Sequence, residues 1–199
     1  KSASSPLVFP PKRAIMIIKY EKEGKNMRLS VKERRCFDQL IKRLLSIPEF
    51  AQMARYPQHG STSCLAHSIA VAYLSYWLCR RLHLNIRYKS LIRGALLHDF
   101  FLYDWHEKDL SHRFHPQRAL ANADTLFELS RMERQIIISH MWPLTLRSVP
   151  TCRAAVIVCL VDKFCSLAET LKLQNHLSVY RYYEQLYQSL PKESVICQA

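Results

Sequence analysis

The chain has 199 residues, long enough for one domain with a sizeable core, and at 49% hydrophobic and 23% charged it has the composition of an ordinary globular protein. Its three glycines, Gly24, Gly60 and Gly94, are too few for a turn-rich all-β architecture, and neither G-x-G-x-x-G nor G-x-x-x-x-G-K-S/T occurs, which argues against Rossmann and P-loop nucleotide binding. The net charge of +13 favours anionic partners without choosing among nucleic acid, acidic lipid and small phosphorylated molecules, because the basic residues are dispersed along the chain.

Residues 1–26 hold three of the nine prolines and no helical period of useful length. They read as an N-terminal arm, or as a translated leader ahead of a natural start at Met27, since Lys22-Glu23-Gly24 can be encoded by a ribosome-binding sequence. Residues 27–199 read as a single helical domain. Ser30 caps a helix to about Leu45, and Pro48 starts a short one to Arg55. Residues 56–63, YPQHGSTS, read as a loop. Thr62 or Ser63 caps a long helix that ends near Arg80-Arg81, and residues 87–100 form the next. After a loop over 101–114, Pro116 opens a helix through Phe127. The Ser130/Glu133 capping box opens another to about His140. Thr151 caps a helix that is apolar on nearly every face and therefore central, and an amphipathic helix covers roughly 176–188. The fold class is all-α.

Seven cysteines without a C-x-x-C pair, with Cys79, Cys159 and Cys165 among apolar neighbours, point to reduced buried thiols and a cytoplasmic location. No apolar run reaches the roughly 18 residues of a membrane span. Oligomeric state is not readable.

Polar groups interrupt the apolar helical runs at four places. His67 lies in CLAHSIAVA, His98-Asp99 ends GALLHDFF, His140 ends QIIISH, and Asp162 lies inside AAVIVCLVDKFCSLA. A buried unpaired carboxylate costs several kcal/mol, so such groups pair or bind metal. Histidines and carboxylates gathered at one centre supply nitrogen and oxygen ligands and leave coordination positions open, unlike a closed structural zinc site, for which no cysteine stands at ligand spacing.

The order His67, His98-Asp99, Asp162 on a helical chain resembles the HD-domain superfamily of metal-dependent phosphohydrolases over roughly residues 50–175. The resemblance implies a compact helical bundle with the metal site between central helices and His67, His98, Asp99 and Asp162 as metal ligands. His115 and His140 match the places where binuclear branches hold a second metal, or where substrate phosphate is contacted. The Gly-Tyr-Pro motif of the cyclic-dinucleotide branch is missing, and Phe100-Phe101-Leu102 stands where the guanosine-tetraphosphate branch carries Glu-Asp. The chain is thus similar to the small stand-alone bacterial HD hydrolases.

The expected activity is hydrolysis of a phosphomonoester or phosphoanhydride of a nucleotide or other small phosphorylated metabolite by metal-activated water. One or two divalent ions are expected, drawn from Mn, Fe, Ni, Co, Zn or Mg. His59, Arg113, Arg118 and Lys163 are candidate phosphate contacts, and Asp104 and His106 candidate acid-base groups. The aromatics of FFLYDWH read as core, with Tyr103 and Trp105 candidates for stacking on a base. The rival reading is a non-catalytic metal-containing module that binds a nucleotide or nucleic acid; nucleic acid is not the favoured partner.

Overall fold

The computed structural model describes residues 27–60, 62–104, 114–174 and 177–188. The 1–26 arm and the candidates Trp105, His106 and Arg113 lie outside them.

Ser30 opens α1 (Val31–Leu45) with a reciprocal capping box, its hydroxyl accepting from the Glu33 N–H while the Glu33 carboxylate accepts from the Ser30 N–H. Pro48 starts the short α2 (Pro48–Ala51), which tightens into a 3-10 turn over Gln52–Arg55. Residues 56–63, read as loop, contain a small antiparallel ribbon of β1 (Pro57–His59) and β2 (Thr62–Ser63). Gly60 takes the positive φ of 59° at its turn, a conformation that favours glycine.

Ser63 then caps α3 (Cys64–Arg81) by accepting from the Ala66 N–H. Every residue of α3 from Cys64 to Trp77 is buried. Ala66, Ala70 and Ala72 keep its girth small enough for neighbours on all sides. It packs against α4 (Tyr88–Leu97), α7 (Arg153–Thr170) and α8 (Ser178–Gln188). The chain continues through α5 (His115–Leu126) and α6 (Arg131–Ser139), and α6 closes the bundle between α4 and α7. Tyr73, Phe37, Phe50, Phe100 and Phe101 are the largest fully buried side chains, so the paired phenylalanines after the HD dipeptide are core, as read.

Three readings are corrected. The helix enclosed on every side is α3, whereas α7 leaves Leu160, Phe164 and Leu167 exposed along one stripe. The residue preceding α7 is Cys152, with no side-chain cap, rather than a capping Thr151. Residues 98–100, read as the end of α4, form a turn in which the Phe101 N–H bonds back to the Asp99 carbonyl. Leu102 follows at a φ of 58°, so the chain leaves the helix sharply and the HD pair sits at its end.

The helices are tied to one another through their own caps. Glu33 accepts from Arg80 of α3 at 2.7 Å, and Glu133, the box residue of α6, accepts from Arg93 of α4 at 2.7 Å. Among the described residues, no helix is long and apolar enough to cross a membrane.

Candidate metal centre

His67 comes from the first turn of α3, His98 and Asp99 from the end of α4, His115 from the start of α5, His140 from the end of α6, and Asp162 from the middle of α7. All six are buried. The carbonyl ends of α4 and α6, which carry the negative poles of those helices, deliver His98 and His140, a placement that favours a cation.

The groups converge on both sides of one carboxylate. On the side of Asp99 Oδ2, His98 Nε2 lies at 3.3 Å and His67 Nε2 at 3.8 Å, with Asp162 Oδ1 3.0 Å from His67 Nε2 and 3.7 Å from His98 Nε2. On the side of Asp99 Oδ1, His140 Nε2 lies at 3.3 Å and His115 Nε2 at 3.5 Å, the two imidazole nitrogens being 2.9 Å apart. His67/His98/Asp99 and Asp99/His115/His140 are both groups that could hold a metal ion, and His59/His67/Glu169 is a third.

Hydrogen bonding fixes which nitrogens face inward. The His98 Nδ1–H donates to the Ala95 carbonyl and the His140 Nδ1–H to the Ile137 carbonyl, each at 2.7 Å. His67 Nδ1 faces the Glu169 carboxylate at 2.9 Å. A carbonyl or carboxylate oxygen can only accept, so Nδ1 carries a proton in all three rings and each Nε2 is the nitrogen turned to the centre, where that of His67 lies 3.0 Å from Asp162 Oδ1. His98 Nε2 and Asp99 Oδ1 are buried without any hydrogen-bond partner. Two orphaned buried atoms among nitrogen and oxygen donors are what a divalent cation satisfies, so the donor set fits a metal.

Electrostatics agree. Burial pushes the Asp99 carboxyl up, but the neighbouring His98 and His140 hold it well below the usual carboxylate range. Burial likewise raises Asp162, and its hydrogen bond to His67 with the neighbouring His98 brings it well below. For His67 burial acts downward, and the Glu169 charge with the bonds to Asp162 and Glu169 carries the imidazolium well above its ordinary value. For His98 burial is outweighed by the charge of Asp99, and the value rises to about 9. Asp99 and Asp162 stay ionised, and the His67 and His98 rings are drawn to positive charge, proton or metal.

A pocket of about 260 Å³ opens onto this centre, lined by Gln58, His59, Asp99, Phe101, His115, His140, Met141, Leu144, Asp162, Lys163 and Ser166. Lys163 donates to Asp162 Oδ2 at 2.8 Å and to the His140 carbonyl. His59 lies edge-on to His67, with ring centroids 5.5 Å apart. Asp104 and Arg118 are not among the pocket's lining residues, and Arg118 sits over the Tyr103 ring.

Four contributors were not picked out from sequence. Gln58 donates to Asp99 Oδ2 at 2.6 Å, Glu169 faces His67, Tyr180 donates to Glu169, and Asn122 donates to the carbonyls of Phe100 and Phe101, each at 3.0 Å. Glu169 had a signal: it lies seven residues after Asp162, on the same face of one helix. Gln58, in a short ribbon, and Asn122, on an exposed-looking helix, had none.

No protein family, curated protein or solved structure matches the chain. The fold and the site are those of a mostly helical bundle with His/His/Asp clusters among its central helices positioned to chelate a metal ion, consistent with an HD-domain-like fold.

Proposed function

We propose that the chain is a metal-dependent phosphohydrolase acting on a phosphomonoester or phosphoanhydride of a nucleotide or another small phosphorylated metabolite. The observation that carries this reading is the Asp99 carboxylate, with one oxygen toward His67 and His98 and the other toward His115 and His140, at the floor of an open pocket. His67, His98, Asp99 and Asp162 would hold a first divalent ion and Asp99, His115 and His140 a second, with Mn, Fe, Ni, Co, Zn and Mg all compatible with imidazole and carboxylate ligands. Such an ion supplies Lewis-acid polarisation of a phosphoryl oxygen and acidification of water.

The chain's own groups do the rest. The Gln58 amide holds Asp99 Oδ2, which fixes the carboxylate plane and leaves Oδ1 for the second group. Lys163, anchored by Asp162 and the His140 carbonyl, offers its ammonium to a phosphoryl oxygen at the pocket wall. Phe101, Met141 and Leu144 give the pocket an apolar side that packs the organic part of the substrate and excludes water. His59 stands at the same wall as a further phosphate contact.

The test is metal content by mass spectrometry of protein purified without chelator or nickel column, joined to a phosphate-release screen over nucleotides and small phosphate esters. At least one ion per chain and phosphate release, both lost in Asp99→Ala, is the expected result. A chain that stays metal-free after reconstitution with Mn or Fe sinks the reading.

A further inference from the structure

We propose that Glu169 is a positioning residue for this site: it holds His67 by Nδ1, strengthens Nε2 as a metal donor, and so makes His67 the dominant ligand of the cluster. The inference rests on the metal-dependent reading and concerns a residue outside the ligand set.

The histidines are not equivalent. His98 and His140 give their Nδ1–H to neutral backbone carbonyls three residues back in their own turns. Of these three, His67 gives it to an anion, with Nδ1 at 2.9 Å and 3.1 Å from the two Glu169 oxygens. A charge-assisted hydrogen bond is roughly twice as strong as a neutral one. Pulling on the Nδ1 proton moves electron density to the opposite nitrogen and raises its basicity as a ligand. The ring is also clamped from both ends, because Nε2 faces Asp162 on the same helix that supplies Glu169.

Glu169 is spent on His67. Its side chain is fully buried, and among the described residues no lysine or arginine pairs with it; its partners are His67 and the hydroxyl of Tyr180, which donates to Oε1. A buried carboxylate is costly unless paired, and the one cationic group paired with Glu169 among the described residues is the His67 ring. With a metal held at Nε2, the Nδ1 proton would stay with this carboxylate and the pairing would be kept. Tyr180, donating to Oε1, fixes the carboxylate against the ring.

The experiment uses the full chain, stripped with EDTA and titrated with Co2+ by calorimetry and visible absorption, in wild type, Glu169→Gln, Glu169→Asp and Asp99→Ala, with a thermal melt of each in EDTA. Glu169→Gln is expected to keep the wild-type number of Co2+ ions while binding them roughly 10–100-fold more weakly. Its melting temperature in EDTA is expected to fall, since the buried pair with His67 is broken, so the role in metal binding is read from the affinity. Glu169→Asp, which keeps the charge, is expected to recover part of the loss. Unchanged Co2+ affinity in Glu169→Gln overturns the inference and leaves the metal reading standing. So does a lower melting temperature in EDTA with unchanged affinity, which marks a structural role. Loss of one whole equivalent of Co2+ overturns it too, making Glu169 a ligand of an ion shared with His59. If Glu169→Gln does not fold, Glu169→Asp decides: full wild-type affinity rejects the role. A wild type that binds no Co2+ removes the metal reading itself.

Discussion

Asp99 has two oxygens in two different environments, and this asymmetry makes the roles of the surrounding residues separable. If its Oδ2 serves the His67/His98 side and its Oδ1 the His115/His140 side, ligand substitutions fall into two ranks. His140→Ala is expected to remove one ion and keep the other, because His67, His98, Asp99 and Asp162 remain a complete set of four donors. Asp99→Ala is expected to remove both. Metal stoichiometry of the two variants side by side checks this; equal losses would show that the histidines act as one site. Asn122 is a second residue-scale case. It ties the turn after the HD pair to α5, the helix that begins at His115, through two hydrogen bonds of 3.0 Å. Asn122→Ala is expected to cost about 1–2 kcal/mol, read by urea unfolding, and to weaken the ion at His115/His140 more than the other.

The elements that carry the site are positioned by close approach and by caps. Gly94 lies one turn before His98, and a Cβ there would meet Ile136 Cδ1 at 2.9 Å and the Glu133 Cα at 3.3 Å. A residue that is a helix weakness in sequence is therefore what lets α4 and α6 touch and bring His98 beside His140. Gly94→Val is expected to destabilise the protein by roughly 2 kcal/mol and to lower metal affinity by spreading those two helix ends. A variant with wild-type melting temperature and affinity would show that the contact is slack. The box residue Glu133 predicts a pH effect. Burial raises its pKa, but the Arg93 guanidinium and the Ser130 N–H and hydroxyl outweigh burial and bring it below its ordinary value of 4.5. A depressed folded value means that its stabilisation is complete above 4.5 and lost as pH falls through the lower folded value. Glu133→Gln is expected to cost roughly 2 kcal/mol at neutral pH and to flatten the acid limb of the stability curve. Acid titrations of the two proteins with parallel limbs would contradict it. These caps were legible because Ser-x-x-Glu is a local signal. The ends of α4 and α7 were not, because a turn at Asp99 and an uncapped Cys152 are set by packing.

At the scale of the whole molecule, the chain order of the polar interruptions carried the site, since a histidine or aspartate within an apolar helix has to meet a partner from another helix. What the order could not carry was the grouping. His59, distant from His67 by only eight positions, reaches that imidazole because the ribbon packs against α3 and α7, and Glu169, from beyond Asp162, because α3 and α7 pack side by side. The exposed stripe on α7 was illegible for the same reason: a leucine facing a neighbour and one facing solvent look alike in sequence. The assembled centre spans five helices whose ligands lie far apart along the chain, and this predicts strong coupling between metal and stability. An ion that binds only the native state adds about 2.7 kcal/mol at a hundred times its Kd. For a domain of this size each kcal/mol moves the melting temperature by roughly 2–4 °C, so the gain is roughly 5–10 °C. Melting in Mn2+ against EDTA is therefore expected to separate by that much for wild type and by nothing for Asp99→Ala. Coincident wild-type curves would mean that the five helices are held by their apolar core alone and that the polar cluster does not gather an ion.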